Sequence, residues 1–152
     1  MTAWSARLVE LGLTLPPVAA PLAAYVPAVR SGAQVLTSRQ LPFVDGVLAA
    51  TGKVGAQVSA EQGKELARTC VLNALAAVHA LVGIDSVVRV VKVVGYVASA
   101  EGFTGQPGVV NGASELLGEV FGEAGVHARS AVGVAELPLG SPVEVELVVE
   151  VR

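Results

Sequence analysis

Residues of the types that do chemistry are few in this chain and widely spaced. It contains one cysteine, Cys70, and two histidines, His79 and His127, and this spacing provides no local metal site. No serine lies in a nucleophile elbow, and no glycine-rich loop is followed by the lysine and hydroxyl residue of a phosphate site. Metal, phosphoryl-transfer and serine-hydrolase chemistry therefore have little support. Cys70 is interpreted as a buried, inert thiol and His79 as a helix-capping or partly exposed histidine.

The C-terminal hairpin carries the strongest chemical pattern. On the last predicted strand, Glu144, Glu146 and Glu150 share one face, opposite a face of valines and one leucine. On the preceding strand, Arg129 stands among small residues, which leave room for an anion beside its planar guanidinium. The pattern alone favours a structural ion pair between Arg129 and Glu144, with a bound carboxylate substrate as the alternative.

Apolar periodicity predicts the elements that must position these side chains. A short helix within residues 2–12 belongs to an N-terminal extension of residues 1–20, and a proline-rich connector continues to Pro21. The Ser59–Gln62 capping box begins a long helix that ends at Gly83. The other predicted elements are strands at 25–29, 33–38, 86–97, 128–136 and 143–151 and a helix at 109–123. Their order predicts a single α+β domain over residues 1–152, with a mixed β-sheet packed against two helices.

Composition excludes several classes of protein. A chain of 152 residues with 53% apolar and 15% charged residues is long and apolar enough to form a core, which disordered chains cannot do. A net charge of −3 and an aromatic content of 4% argue against nucleic-acid binding. Polar residues interrupt the apolar stretches, so we expect no membrane span. The low charge content is typical of a protein that hides surface in an oligomer.

Four stretches, in order, resemble motifs of the Rid family, the reactive intermediate deaminases that are also called YjgF-like or L-PSP proteins. They are residues 24–29 with Tyr25, residues 38–42 with Ser38 and Arg39, Val110-Asn111, and residues 127–146 with Arg129 and Glu144. The N-terminal extension and residues 111–117 are similar to a longer, less studied branch of that family.

This resemblance implies a chorismate-mutase-like fold, assembled as a homotrimer with clefts between subunits. It also implies a cytoplasmic enzyme that uses no cofactor and no metal and hydrolyses small enamine or imine acids, such as 2-aminoacrylate, to a 2-keto acid and ammonia. The alternative is a non-catalytic trimer that binds a small carboxylate. An old ribonuclease label also belongs to this family, but the acidic charge balance argues against it here.

The resemblance also implies roles for individual residues. Arg129 would hold the substrate carboxylate, and Glu144 would position or activate the attacking water. Tyr25, Ser38 and Asn111 match other positions that line the cleft.

Two residues depart from the better-studied branch of the family. Arg39 stands where a glycine is usual, and it would narrow the cleft, provide a second anion contact or turn outward. His127 lies two residues before Arg129, and we interpret it as a rim position, with a titrating group near the cleft as the alternative.

Overall fold

Three helices and seven strands make up the parts of the chain that the computed structural model describes, residues 3–18 and 24–152. Short 3₁₀ turns connect several of them. In chain order the elements are α1 (Trp4–Glu10), β1 (Ala28–Ser31), β2 (Gln34–Thr37), β3 (Phe43–Val44), β4 (Val47–Leu48), α2 (Ala60–Val82), β5 (Val87–Ala98), α3 (Gln106–Phe121), β6 (Ala128–Val134) and β7 (Val143–Val151).

The main sheet has five strands in the order β1-β2-β7-β5-β6. Strands β5 and β6 are parallel and the other neighbours are antiparallel, so the sheet is mixed. The hairpin β3-β4 lies apart and turns through Asp45 and Gly46, which both have positive φ. This architecture confirms the predicted α+β class.

Helices α2 and α3 pack on one face of this sheet. The β7 side chains that face the helices, Val143 to Val151 in alternation, are buried, as the alternation predicts. In α2, Cys70 is fully buried, as predicted, and burial raises the pKa of its thiol well above the usual range. Leu81, near the end of α2, is exposed.

Helix α2 is the one described helix that is long and apolar enough to cross a membrane. More than half of its most apolar window is buried inside the fold, at 56%. It is therefore a core helix, and its apolar character reflects packing on both the sheet and α3.

A glycine lets α3 approach α2 closely. A Cβ atom at Gly112 would overlap the backbone carbonyl oxygen of Lys64, so only glycine fits at this crossing. Two ion pairs bridge the helices beside it, between Lys64 and Glu115 at 2.9 Å and between Arg68 and Glu119 at 3.1 Å. This close contact fixes the position of α3, which carries several of the candidate site residues.

Most predicted boundaries are close to the observed ones, and two differ for reasons of backbone chemistry. The first strand begins at Ala28, three residues later than predicted, because Pro27 has no N–H to contribute to a ladder. Helix α3 begins at Gln106, before the predicted start at Val109, because Pro107 is compatible with a first helical turn. The predicted connector extends into residues 19–23, which lie outside the described residues.

Helix α1 is the predicted short N-terminal helix, and it is attached to the core by its first residues. The indole N–H of Trp4 donates to the carbonyl of Val87 at 2.8 Å, and its ring contacts Phe121 edge-on at 5.1 Å between centroids. The backbone N–H and hydroxyl of Ser5 both donate to Asp85, at 2.8 and 2.7 Å. These bonds hold the pKa of Asp85 below its ordinary value.

Candidate functional site

Arg129 lies at the edge of the sheet, where β6 faces α3. Its Nη1 donates to Oδ1 of Asn111 at 2.7 Å and to Oγ of Ser114 at 3.3 Å. Both partners are on α3, one turn apart, so the helix presents two acceptors to the same guanidinium nitrogen. The structure brings the predicted residues Arg129 and Asn111 together and adds Ser114, which the sequence analysis missed. Ser114 lies three residues after Asn111 on the same helix, and this spacing was the signal that could have identified it.

His127 extends this hydrogen-bonded group. Its Nδ1 lies 2.6 Å from the carbonyl oxygen of Gly125, which can only accept, so Nδ1 carries a proton. In the neutral ring, Nε2 is then an acceptor for the hydroxyl of Ser114 at 2.9 Å. Together Asn111, Ser114, His127 and Arg129 form what we call the Arg129 cluster. His127, interpreted as a rim position from sequence, orients the hydroxyl that contacts Arg129.

Glu144 lies near the start of β7 and is almost completely buried, with 4% of its surface exposed. The segment after β2 runs beside it, because Gln40 exchanges two backbone hydrogen bonds with Val145. Oε1 of Glu144 is buried and has no hydrogen-bond partner among the described residues. Burial raises the pKa of Glu144; the guanidinium of Arg39 opposes this shift, and the carboxylate of Glu146 adds to it.

Three further side chains surround Glu144. Tyr96 on β5 stands directly opposite Glu144 in the antiparallel register, and its hydroxyl donates to Oε1 of Glu146 at 2.7 Å. The guanidinium carbon of Arg39 lies 3.9 Å from the centre of the Tyr96 ring, in a cation–π contact. We call Arg39, Tyr96, Glu144 and Glu146 the Glu144 cluster. Arg39 therefore does not turn away from the sheet but stacks on it.

The two clusters lie on opposite faces of the sheet. Arg129 pairs with Val93 and Glu144 pairs with Tyr96 across β5, and these two β5 residues are three positions apart. Successive side chains of a strand point to alternate faces, so Arg129 is on the helix-covered face and Glu144 on the other, which we call the outer face. The ion pair between Arg129 and Glu144 that periodicity favoured is therefore wrong.

The other two predicted cleft residues flank the hairpin of β1 and β2, Tyr25 before it and Ser38 after it. Ser38 ends the segment that pairs with β1, and its hydroxyl donates to the carbonyl of Val26 at 2.6 Å. Tyr25 lies before β1 rather than within it and is about half exposed, at 46%. Ser38 is thus close in sequence and space to Arg39, whereas Asn111 belongs to the Arg129 cluster.

A groove of about 500 Å³ lies elsewhere, between the β3-β4 hairpin, α2 and the segment after α1. Its described lining includes Pro16, Phe43 and Leu72, with Asp45 as the one ionisable residue. It contains neither cluster, and its described lining holds no ionisable group beyond that carboxylate. Within residues 3–18 and 24–152, no three His, Cys, Asp or Glu side chains are grouped as metal ligands.

Residues 5–151 match the family model described as "YjgF/chorismate_mutase-like, putative endoribonuclease". The chain belongs to this YjgF-like family. Protein TCP17 of Trypanosoma cruzi is 46% identical over 97% of this chain and 94% of its own length. The crystal structure of Atu1372 from Agrobacterium tumefaciens, a protein of unknown function, is 42% identical with a TM-score of 0.90, over 98% of this chain and 92% of that one.

A structure from Shewanella oneidensis, described as a putative endoribonuclease, is similar to nearly the whole chain. It is 34% identical with a TM-score of 0.94, and the match covers 99% of this chain and all of that one, 100%. The resemblance drawn from four short motifs is therefore confirmed, and so is the chorismate-mutase-like fold. The YjgF-like fold of this chain places its two polar clusters on either side of one sheet.

Proposed function

We propose that this YjgF-like protein is a cofactor-free hydrolase that converts small enamine or imine acids of the 2-aminoacrylate type to a 2-keto acid and ammonia. The observation that carries the proposal is the buried Oε1 of Glu144, which has no partner in the described chain. An unpaired buried carboxylate is costly to stability and is therefore typical of a functional group. Its raised pKa makes it a stronger proton acceptor than an exposed glutamate.

The chemistry begins with the substrate carboxylate bound to Arg129. Asn111 and Ser114 hold Nη1 of this arginine, so its remaining N–H groups are available to the ligand in a fixed orientation. An enamine first gains a proton at its terminal carbon and loses one from its nitrogen, which makes it an imine. Water then adds to the C=N carbon; Glu144 accepts the proton that this water loses and passes it to the nitrogen, which gives a carbinolamine. The hydroxyl proton of the carbinolamine then moves to the nitrogen, the C–O bond becomes a C=O bond, and the C–N bond breaks as ammonia leaves.

A site with both residues needs two chains, because one sheet separates Arg129 from Glu144. We propose a homotrimer in which Arg129 of one subunit and Glu144 of its neighbour face the same cleft. The outer face supports such an assembly because it exposes apolar side chains that a solvated sheet face rarely carries. They include Val29, Leu36 and Val132, which are 50%, 38% and 42% exposed. Sedimentation that gives a monomer at micromolar concentration would contradict the shared site.

A second candidate is a non-catalytic module that binds a small carboxylate. The observation that favours it is the completeness of the Arg129 cluster, whose hydrogen bonds form without any contribution from Glu144. Under this reading the protein binds keto acids through Arg129 and leaves 2-aminoacrylate unchanged. For either function, we expect the protein to act in the cytoplasm and to bind neither nucleic acid nor a membrane.

Ribonuclease activity, which the family description names, has less support in this chain. Its net charge is −3 and its aromatic content is 4%, whereas single-stranded RNA is bound by basic grooves and aromatic platforms. Binding of single-stranded RNA that weakens steeply with salt would favour this function instead.

Freshly generated 2-aminoacrylate is the substrate that tests the hydrolase. The rate of keto-acid and ammonia release above the spontaneous rate is expected to fall by roughly 10²–10⁴-fold in Glu144→Gln, the scale of general acid–base catalysis. Glu150→Gln is the matched control, because Glu150 occupies the same face of β7 farther along the strand. Equal turnover by wild type and both variants would refute the role of Glu144, and no turnover by wild type would favour the binding module.

A further inference from the structure

Arg39 occupies an unusual place in the Glu144 cluster. Its guanidinium carbon lies 3.9 Å from the centre of the Tyr96 ring, and the hydrogen bond from Tyr96 to Glu146 holds that ring in place. Arg39 itself is exposed, and it forms no ion pair with any carboxylate of the described chain. The side chain of Arg39 is therefore held beside Tyr96 without an ion pair to any carboxylate of the described chain.

This position leaves Arg39 able to bind an anion. A guanidinium in a cation–π contact keeps its planar fork of N–H donors, which matches the two oxygens of a carboxylate. The carboxylates nearest by position, Glu144 and Glu146, are both on the sheet below. Among the described residues no carboxylate forms an ion pair with Arg39, so its N–H donors can meet the carboxylate of a ligand.

The position of Arg39 relative to Glu144 defines which part of a ligand it would meet. Tyr96, whose ring contacts Arg39, is the cross-strand partner of Glu144. The positive charge of Arg39 favours the ionised form of the Glu144 carboxyl. In the proposed hydrolase, Glu144 faces the carbon that water attacks, and Arg129 holds the carboxylate on one side of that carbon. Arg39 belongs to the subunit that supplies Glu144, whereas Arg129 comes from its neighbour, so the two arginines approach the ligand from different chains.

We propose that Arg39 is a specificity-determining residue that binds a second, terminal carboxylate, so that the preferred substrates are imines or enamines of dicarboxylic 2-keto acids. The inference rests on the proposed function for the identity of the reacting atoms. The hydrolysis is unchanged: water adds across C=N, ammonia leaves, and the terminal carboxylate takes no part in the bonds that form or break.

Two stable keto acids test this selectivity without any reactive imine. 2-Ketoglutarate and 2-ketovalerate have the same carbon chain and differ in whether it ends in a carboxylate or a methyl group. Calorimetry with the wild-type protein is expected to give a Kd about 10-fold or more lower for 2-ketoglutarate, the effect of one charged hydrogen-bonded pair. Arg39→Gln should remove most of that difference, because it should weaken the binding of 2-ketoglutarate far more than the binding of 2-ketovalerate.

Arg89→Gln is the matched control, because it removes an exposed arginine at the far end of β5 whose guanidinium donates only to a backbone carbonyl. It should retain the wild-type preference. Arg39→Lys should give an intermediate preference, since it keeps the charge and loses the planar edge. Equal affinity of wild type for the two acids, or equal weakening of both by Arg39→Gln, would overturn the proposal. Dissociation of the assembly in Arg39→Gln, measured by sedimentation, would place Arg39 in a subunit contact and overturn it as well.

Turnover of 2-aminoacrylate separates this inference from the function on which it rests. Hydrolysis by wild type without any preference for 2-ketoglutarate would contradict the role of Arg39 alone. An Arg39-dependent preference without any hydrolysis would support the dicarboxylate ligand and contradict the hydrolase.

Discussion

Arg129 and Glu144 lie on opposite faces of the same five-stranded sheet. Across β5 they pair with Val93 and Tyr96, which point to opposite sides because they are three residues apart. Arg129 contacts α3 on the covered face, and Glu144 lies with Arg39 and Tyr96 on the outer face. A single chain therefore cannot direct both residues at one small ligand.

Mixed assemblies should recover activity from two inactive variants. Arg129→Lys and Glu144→Gln each remove one half of the proposed site, and each homotrimer should be inactive. When the two chains are unfolded together and refolded at equal amounts, about a quarter of the clefts should combine an intact Arg129 with an intact Glu144 from the neighbouring chain. The assay is 2-aminoacrylate turnover, with the separately refolded variants as the baseline. A mixture no more active than that baseline would contradict the shared site.

Replacement of Arg129 by lysine should weaken keto-acid binding while the fold persists. Lysine keeps the positive charge but lacks the planar fork that binds a carboxylate through two parallel bonds. The expected loss in binding free energy is roughly 1.5–3 kcal/mol, the scale of a charged hydrogen bond, measured by calorimetry with a keto acid. The melting temperature is the control, because a large drop would assign Arg129 to holding α3 against β6 through Asn111 and Ser114.

The sequence was sufficient for the secondary structure and most of the fold because local signals agreed. The capping box of Ser59 and Gln62 and the stop at Gly83 determine the bounds of α2, and alternation determines the inward face of β7. Both signals act between residues close in sequence, where spacing translates directly into geometry.

The arrangement of the site was harder to predict because it depends on strand register. Periodicity placed Arg129 and Glu144 on their strands correctly. However, β5 lies between β6 and β7, and the register of β5 with each neighbour determines whether the two side chains lie on the same face of the sheet. No local pattern encodes that register. The contact of Arg39 with Tyr96 joins residues that are far apart in the sequence, so their spacing could not predict it either.

Glu144→Gln should stabilise the folded protein at neutral and higher pH. Burial raises the pKa of Glu144 above its ordinary value of 4.5, so the ionised form is destabilised in the folded state. Below the unfolded-state pKa, Glu144 is neutral in both states, and no free energy is spent on burying a charge. As the pH rises through the folded-state pKa, the buried carboxyl ionises and the folded state loses stability. Glutamine keeps the shape without the charge. The variant should therefore melt above wild type at about pH 8, and the difference should shrink toward about pH 4.

Glu150→Gln controls for the general loss of one negative charge, since Glu150 is on the same face of β7 and is more exposed. Its melting temperature should differ little from wild type across the same range. A destabilised Glu144→Gln at high pH would mean that the carboxylate stabilises the fold, which contradicts its assignment as a functional group retained at a cost.

Two glycines of α3 should respond to alanine in opposite directions. A Cβ at Gly112 would overlap the carbonyl oxygen of Lys64 on α2, whereas nothing lies within 4 Å of a Cβ at Gly118. Gly112→Ala should force the helices apart and lower the free energy of unfolding by roughly 1–3 kcal/mol, as overpacking does. Gly118→Ala should raise it by roughly 0.5–1 kcal/mol, because alanine favours the helical backbone more than glycine. Urea unfolding of both variants measures the contrast.

Because α3 carries Asn111 and Ser114, Gly112→Ala should also weaken keto-acid binding through Arg129, whereas Gly118→Ala should leave this binding unchanged. Similar effects of the two substitutions on binding would show that the close crossing of α2 and α3 does not set the position of α3.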